Sequence, residues 1–221
     1  MVDARGAERD TETIRIVHEH RSSIIPRVLS SDPATGRRRS HASRDAILAA
    51  THALLEEVGF AKLSIEAVAA RAGVGKATIY RWWSSKGTLA MEAFLGAVAP
   101  TIGFPATASA HSDIMVQIHK VAKAYRGKAG RIVREMIGLG QFDPETMRTF
   151  VEGYLQPRRS AAKTVIQRGI DQGEFRRDID LEVVVDSLYG PIFHRLLTSH
   201  GAIDDKFITA HVALILDSIS A

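Results

Sequence analysis

Residues Arg71–Trp83 read RAGVGKATIYRWW, and two readings compete for them. Two glycines, a lysine and a threonine in a row suggest a loop that grips nucleotide phosphates. That loop needs G-x-x-x-x-G-K-[ST] behind a buried strand, so that backbone N–H groups wrap the phosphates and the hydroxyl reaches magnesium. With Gly75-Lys76 as anchor, the first glycine falls on Ala70 and the hydroxyl on Ala77. The preceding AVAARA has helical spacing, not the character of a strand. Three requirements fail, and the second reading takes over: two short helices joined by a glycine-containing turn, a helix-turn-helix.

The flanks support it. SRDAILAATHALLEEVGF places Ile47, Ala50, Leu54, Leu55 and Val58 on one helical stripe, closed by Gly59. Ser64 is an N-cap for IEAVAARA, where Ile65, Val68, Ala69 and Ala72 recur at i, i+3, i+4 and i+7, and Gly73 ends that helix. A third helix is expected from Lys76 to Trp83. Ser85 caps a fourth, KGTLAMEAFLGAVA, stopped by Pro100. Ile65, Val68, Ala69, Val74, Ile79 and Trp83 would share a core with Ile47, Leu54 and Leu55. Lys76, Ala77, Thr78, Tyr80, Arg81 and Trp82 then face outward. Donors, a methyl group and aromatic surface suit a major groove. A short amphipathic helix with a merely solvated outer face is the plainer alternative, and the two large aromatics on that face speak against it.

RDAILAATHALLEEVGFAKLSIEAVAARAGVGKATIYRWWSSKGTLAMEAF resembles, without a gap, the N-terminal DNA-binding domain of the TetR (tetracycline repressor-like) family of transcriptional regulators. YLQPRRSAAKTVIQRGIDQGEF and LYGPIFHRLLTSH resemble the ligand-binding and dimerisation domain of one subgroup. The resemblance implies that the helix from Lys76 is the recognition helix, with Lys76, Ala77 and Thr78 nearest the base edges. It sets Tyr80 and Trp82 on backbone or thymine methyls, and Ser64 and Lys86 on phosphates at helix N-termini. Arg81 and Arg44 complete the DNA-binding candidates. Gly75 stands where the family often has serine, and Trp82 where it often has histidine or another aromatic. The resemblance also implies a two-fold dimer and a small-molecule effector.

The 221 residues carry a formal charge of +4, unevenly placed. Residues 1–35 hold five basic and six acidic side chains, residues 36–95 nine against five, and the remainder nearly cancels. The basic excess sits with the helix-turn-helix, as expected for a polyanionic partner, although a solvated basic face would look the same. There are no cysteines, which excludes disulfides, thiolate metal sites and cysteine nucleophiles. No stretch reaches the roughly 18–20 apolar residues of a membrane helix, and the first twenty residues lack the apolar run of a secretory signal. The expected compartment is the cytoplasm, with no membrane partner.

Residues 1–42 read as a flexible extension: a short helix before Pro26, then linker composition (SSDPATGRRRSHAS). Arg37, Arg38 and Arg39 could reach DNA as an arm or form a plain basic linker. Residues 43–98 are the expected DNA-binding domain and 109–221 the expected ligand-binding and dimerisation domain. No alternating strand pattern occurs, so the expected fold is all-α: a three-helix helix-turn-helix domain plus a second helical domain. Helices are expected over Ser112–Tyr125, Arg131–Leu139, from Asp143-Pro144 to near Gly173 with a kink at Pro157, after Asp180, and after Asp204 or Asp205.

The helix from Leu181 to His200 is apolar nearly all round (Leu181, Val184, Val185, Leu188, Ile192 and Leu196, with Val183, Tyr189, Phe193 and Leu197 beyond) and must be covered on both sides. One cover would be the partner's last two helices in a homodimer; full burial within one subunit is the alternative. Met115, His119, Met136, Phe150, Tyr154, Tyr189 and Phe193 are the candidate wall of an apolar ligand site, although each alone also reads as ordinary core. The histidines show no zinc spacing, and neither a metal nor a cofactor is expected. The function expected is a sequence-specific, dimeric DNA-binding regulator, a repressor released from a palindromic operator by a small molecule. A ligand-independent architectural DNA binder is the alternative. An enzyme, either a phosphate-loop NTPase or a hydrolase, would need a strand before the glycines or a G-x-S-x-G elbow, and neither is present.

Overall fold

The computed structural model describes residues 33–221, with side chains from residue 41 onward. Among these, the chain forms ten α-helices and one isolated antiparallel bridge, Phe175 with Ser220. The helices are α1 (Pro33–Lys62), α2 (Ile65–Ala72), α3 (Lys76–Tyr80), α4 (Lys86–Val98), α5 (Ala110–Tyr125), α6 (Lys128–Gly140), α7 (Pro144–Phe150), α8 (Gln156–Asp171), α9 (Leu181–Thr198) and α10 (Asp205–Ile219). The expected all-α class is what the chain adopts. The short helix expected before Pro26 lies outside the described residues.

α1 starts earlier than its apolar stripe. Residues 33–42 read as linker, yet the backbone is helical from Pro33. Proline is at home in a first helical turn, and the arginines that follow are good helix formers, so the helix set by the stripe extends backward. Arg37, Arg38 and Arg39 are thus on a helical backbone. Of the stripe itself, Ile47, Ala50, Leu54 and Leu55 are buried and Val58 is exposed.

The other end of α1 is held from outside. Gly59 breaks the helix at φ 81°, ψ 174°, which only glycine adopts readily. The Glu135 carboxylate of α6 accepts hydrogen bonds from the freed Phe60 and Ala61 amides at 2.5 and 3.3 Å. Arg131, one turn earlier on α6, donates to the Leu55 and Glu56 carbonyls at 3.2 and 2.6 Å. One α6 face therefore supplies an acceptor for loose amides and a donor for loose carbonyls, tying the N-terminal helices to the second domain.

α2 and α3 follow the expected punctuation. The Ser64 hydroxyl caps α2 by accepting from Ala67 N at 3.2 Å, and Gly73 ends it in the left-handed conformation (φ 65°). α3 stops at Tyr80, earlier than expected, and the chain tightens there: the Trp82 amide donates to the Ile79 carbonyl three residues back at 2.9 Å. Ile79 and Trp83 are buried with Leu54, Leu55, Val68 and Ala69. Ser85 and Thr88 form a reciprocal capping box at the start of α4.

In the second domain Glu174 caps α5, accepting from the Ala110 and His111 amides at 2.7 and 3.0 Å. Asp143 caps α7, Asp180 caps α9 and Asp204 caps α10. The kink expected at Pro157 takes the form of a wide turn: Val151–Leu155 is π-helical, joining α7 to α8. Such a turn absorbs the bond that proline cannot make. It places Tyr154 inward, 1% exposed.

Replacing Gly59 with alanine would force a side chain into positive φ, its Cβ 2.5 Å from a Glu135 carboxylate oxygen. Gly59→Ala should cost about 1–3 kcal/mol of stability in urea denaturation. An unchanged midpoint would mean that the break in α1 is dispensable.

Candidate nucleic-acid interface and ligand cavity

α3 stands proud of the N-terminal domain because only its inner side is anchored. Ile79 is fully buried, while Lys76, Ala77, Tyr80, Arg81 and Trp82 are exposed and Thr78 is half-buried. Tyr80, at 55% exposure, is the most open aromatic of the group. The structure thus brings six of the nine sequence-predicted positions onto one outward ridge.

The ridge is held by a network that the sequence pattern did not reveal. The Trp83 indole N–H donates to Glu92 of α4 at 2.7 Å, and Arg44 of α1 pairs with the other oxygen of the same carboxylate. The Arg44 guanidinium lies 5.7 and 5.9 Å from the ring centroids of Trp82 and Trp83. Arg44 therefore braces the ridge, and its charge is already partnered. Glu92 was missed because a single acid on a helical pattern reads as a solvated face.

The remaining candidates flank the ridge. Lys76 forms an exposed ion pair with Glu66 at 3.0 Å; this hydrogen bond holds the Glu66 carboxyl below its usual range and the Lys76 ammonium above its own. Exposed pairs of this kind are weak, so the ammonium can exchange its carboxylate for a phosphate or a base edge. The Ser64 hydroxyl caps α2, leaving its own proton to donate. Lys86 heads α4 with its Nζ 4.8 Å from the Phe60 ring centroid and 3.4 Å from the Phe60 carbonyl, half-buried. The segment directly before Gly73–Gly75 is α2, a helix where a phosphate loop needs a strand.

The candidate ligand residues divide three ways. Tyr154, Tyr189 and Phe193 line one cavity of about 210 Å³ between α5, α8 and α9. Met136 and Phe150 are buried core, with Phe150 stacked on Tyr154 at 5.2 Å between centroids. Met115 and His119 instead line an open groove beside Arg126 and Asp205, where His119 meets Asp205 at 3.4 Å. Both are on α5, whose opposite face carries the cavity residues Gln117 and Val121. A single list of apolar residues does not say which helix face turns inward.

Lining residues absent from the expected set give the cavity its polarity: Gln117, Tyr125, Arg158, Arg159 and Asp186. The Tyr189 hydroxyl donates to Gln117 Oε1 at 2.7 Å, and the Gln117 amide donates to the Ile102 carbonyl at 3.1 Å. The Tyr125 and Tyr154 hydroxyls share a hydrogen bond of 2.6 Å. Burial pushes all three phenols above their ordinary range, so they stay protonated. Gln117 was detectable as a polar residue on the buried stripe of Ile114, Ile118 and Val121.

Comparison with known proteins agrees with this arrangement. Residues 47–93 match the family described as bacterial regulatory proteins, tetR family, and residues 104–215 match the tetracyclin repressor-like C-terminal domain. The chain belongs to the TetR family. It is 38% identical over 173 residues to the HTH-type transcriptional regulator YdeS of Bacillus subtilis (strain 168), covering 78% of this chain and 87% of that one. It is 28% identical over 166 residues to a DNA-binding transcriptional repressor TetR of Mycobacteroides abscessus, covering 74% and 86%. The crystal structure of the TetR-family regulator SCO0332 superposes with a TM-score of 0.73 at 36% identity, over 81% of this chain and 99% of that one. The protein is a TetR-family DNA-binding transcriptional regulator. Among its described residues, no helix is long and apolar enough to cross a membrane.

Because Trp83 anchors this regulator's ridge through one hydrogen bond, Trp83→Phe should lower thermal and urea stability by about 1–2 kcal/mol. Unchanged stability would remove Glu92 and Trp83 from the account of how α3 is held.

Proposed function

We propose that the protein is a dimeric repressor whose α3 enters the major groove of a palindromic operator and which a small molecule releases. Within α3, Lys76, Ala77 and Thr78 face base edges, and Tyr80 and Trp82 face the sugar-phosphate backbone or thymine methyls. Arg81, Ser64 and Lys86 contact phosphates. Arg44 acts one step back, by bracing Trp82 and Trp83.

The observation that carries release is the position of Tyr154. Tyr154 lines the cavity, and its ring also packs 5.5 Å from Phe94 of α4. Gly153 beside it leaves room for no more than Met91 of α4, whose Cγ would lie 3.0 Å from an added Cβ. α4 follows directly on the ridge that α3 forms. An occupant that displaces Tyr154 therefore bears on the helix that carries the ridge. In a dimer, ligand would favour a state whose two α3 helices no longer match successive major grooves, roughly 34–36 Å apart. A cavity of this kind also favours an effector-responsive protein over a ligand-independent architectural one.

The dimer is proposed on α9 and α10. α9 buries Val184, Val185, Leu188, Ile192 and Leu196 within the subunit, but Val183 and Leu197 are exposed, as is Leu214 of α10. Apolar side chains left outside on two neighbouring helices suit a four-helix contact with a second copy.

Two outcomes test this reading. On a duplex selected from a random pool by the protein itself, Tyr80→Ala and Lys76→Ala should each weaken binding. Wild-type affinity in both variants would remove α3 from the interface. Leu214→Arg should shift the light-scattering mass from two chains to one; a persistent dimer would place the contact elsewhere.

A further inference from the structure

The cavity wall is mainly apolar and neutral, and one of its charged groups is left uncompensated. Arg158 and Arg159 both line it, but their circumstances differ. Arg159 pairs with Asp186 and Glu182 of α9, so its charge is met twice. Arg158 has no carboxylate partner among the described residues. Its Nη1 donates to the Tyr154 carbonyl at 3.0 Å, and its guanidinium lies 3.9 Å from the centroid of the Tyr154 ring. Its Nε is buried and has no hydrogen-bond partner. Asp186 is two-thirds exposed and already engaged by Arg159, so Arg158 is the cation of the cavity left without a carboxylate.

A buried donor on a cation is costly when unpaired, and a ligand that meets it recovers that cost. The planar guanidinium favours a carboxylate, which it can grip with two parallel hydrogen bonds. Beyond the Arg159–Asp186 pair, the rest of the wall is Val121, Leu155, Val185 and aromatic rings, with neutral phenol and amide groups as its other polar atoms. Size sets the second limit. A cavity of about 150 Å³ accepts benzene, so about 210 Å³ accommodates one ring, or a chain of similar bulk, with a short polar substituent.

Resting on the reading of the cavity as the effector site, we infer that the effector is a small apolar monocarboxylate, of one ring or equivalent bulk, whose carboxylate pairs with Arg158. Its apolar body would lie among Tyr125, Tyr154, Tyr189 and Phe193. The Tyr154 ring would then be contacted from both ends, by the ligand's body and by the arginine stacked on it, which ties charge recognition to the residue that touches α4.

Calorimetric titration of the full-length protein with phenylacetate, 3-phenylpropionate and hexanoate, each beside its neutral amide and its amine analogue, tests this. At least one acid should bind about tenfold or more tightly than its own amide, as expected for a hydrogen bond to a charged group. Arg158→Met should erase the difference, and Arg158→Lys should restore part of it. An amide or amine that binds as tightly as the acid, or an acid preference that persists in Arg158→Met, overturns the inference. So does the failure of all three acids to bind. The acid-against-amide comparison needs only the wild-type protein, so it stands even if a variant does not fold. Operator binding separates the two levels. Arg158-dependent acid binding that leaves operator affinity unchanged upholds the monocarboxylate site and defeats release by ligand. Release by the neutral amides alone does the reverse.

Discussion

A five-residue helix has no stability of its own, and α3 exists because Ile79 and Trp83 are buried against α1, α2 and α4. That burial fixes the rotation of α3, and the rotation decides which side chains look outward. Trp83 does more than fill space. Its indole N–H meets Glu92, which also holds Arg44, so one carboxylate links α1, the end of the ridge and α4. Tyr80 and Trp82 can stay exposed because their neighbours in sequence are anchored so firmly.

The same economy governs the junction with the second domain. Gly59 breaks α1 where α6 passes, and Glu135 and Arg131 satisfy the groups that the break exposes. α4 is then gripped from the other side by the π-helical turn, through Phe94 on Tyr154 and Met91 on Gly153. The N-terminal helices are thus joined to the second domain by two contacts, one polar through α6 and one aromatic, and the aromatic one reaches the cavity. Packed interfaces of this kind shift between discrete arrangements instead of deforming smoothly, which suits a binding-linked switch.

Much of this was legible in the residues. The caps Ser64, Ser85, Asp143, Asp180 and Asp204, and the glycines Gly59 and Gly73, mark element ends through local chemistry, and local chemistry is what a sequence displays. The outward set on α3 follows from helical period once Ile79 and Trp83 are assigned to the core. The beginning of α1 did not follow, because arginine and alanine serve a linker and a helix equally well. The cavity was half-legible. Tyr154, Tyr189 and Phe193 line it, yet Met136 and Phe150 are core and Met115 and His119 face a different groove. Which face of α5 turns inward depends on where α8, α9 and α10 pack, a tertiary fact that periodicity cannot carry. Arg158 escaped for the opposite reason: a charged residue reads as surface until the structure shows it lining an interior.

The central claim is that two copies of α3 read one duplex from the same side. Guanine-N7 methylation protection of a protein-selected duplex by the full-length protein tests it most directly, because that atom lies in the major groove. The account predicts two protected patches in symmetric sequence, centred about one helical turn apart. Protection that is absent from N7 positions, or spread along the duplex without symmetry, would contradict it.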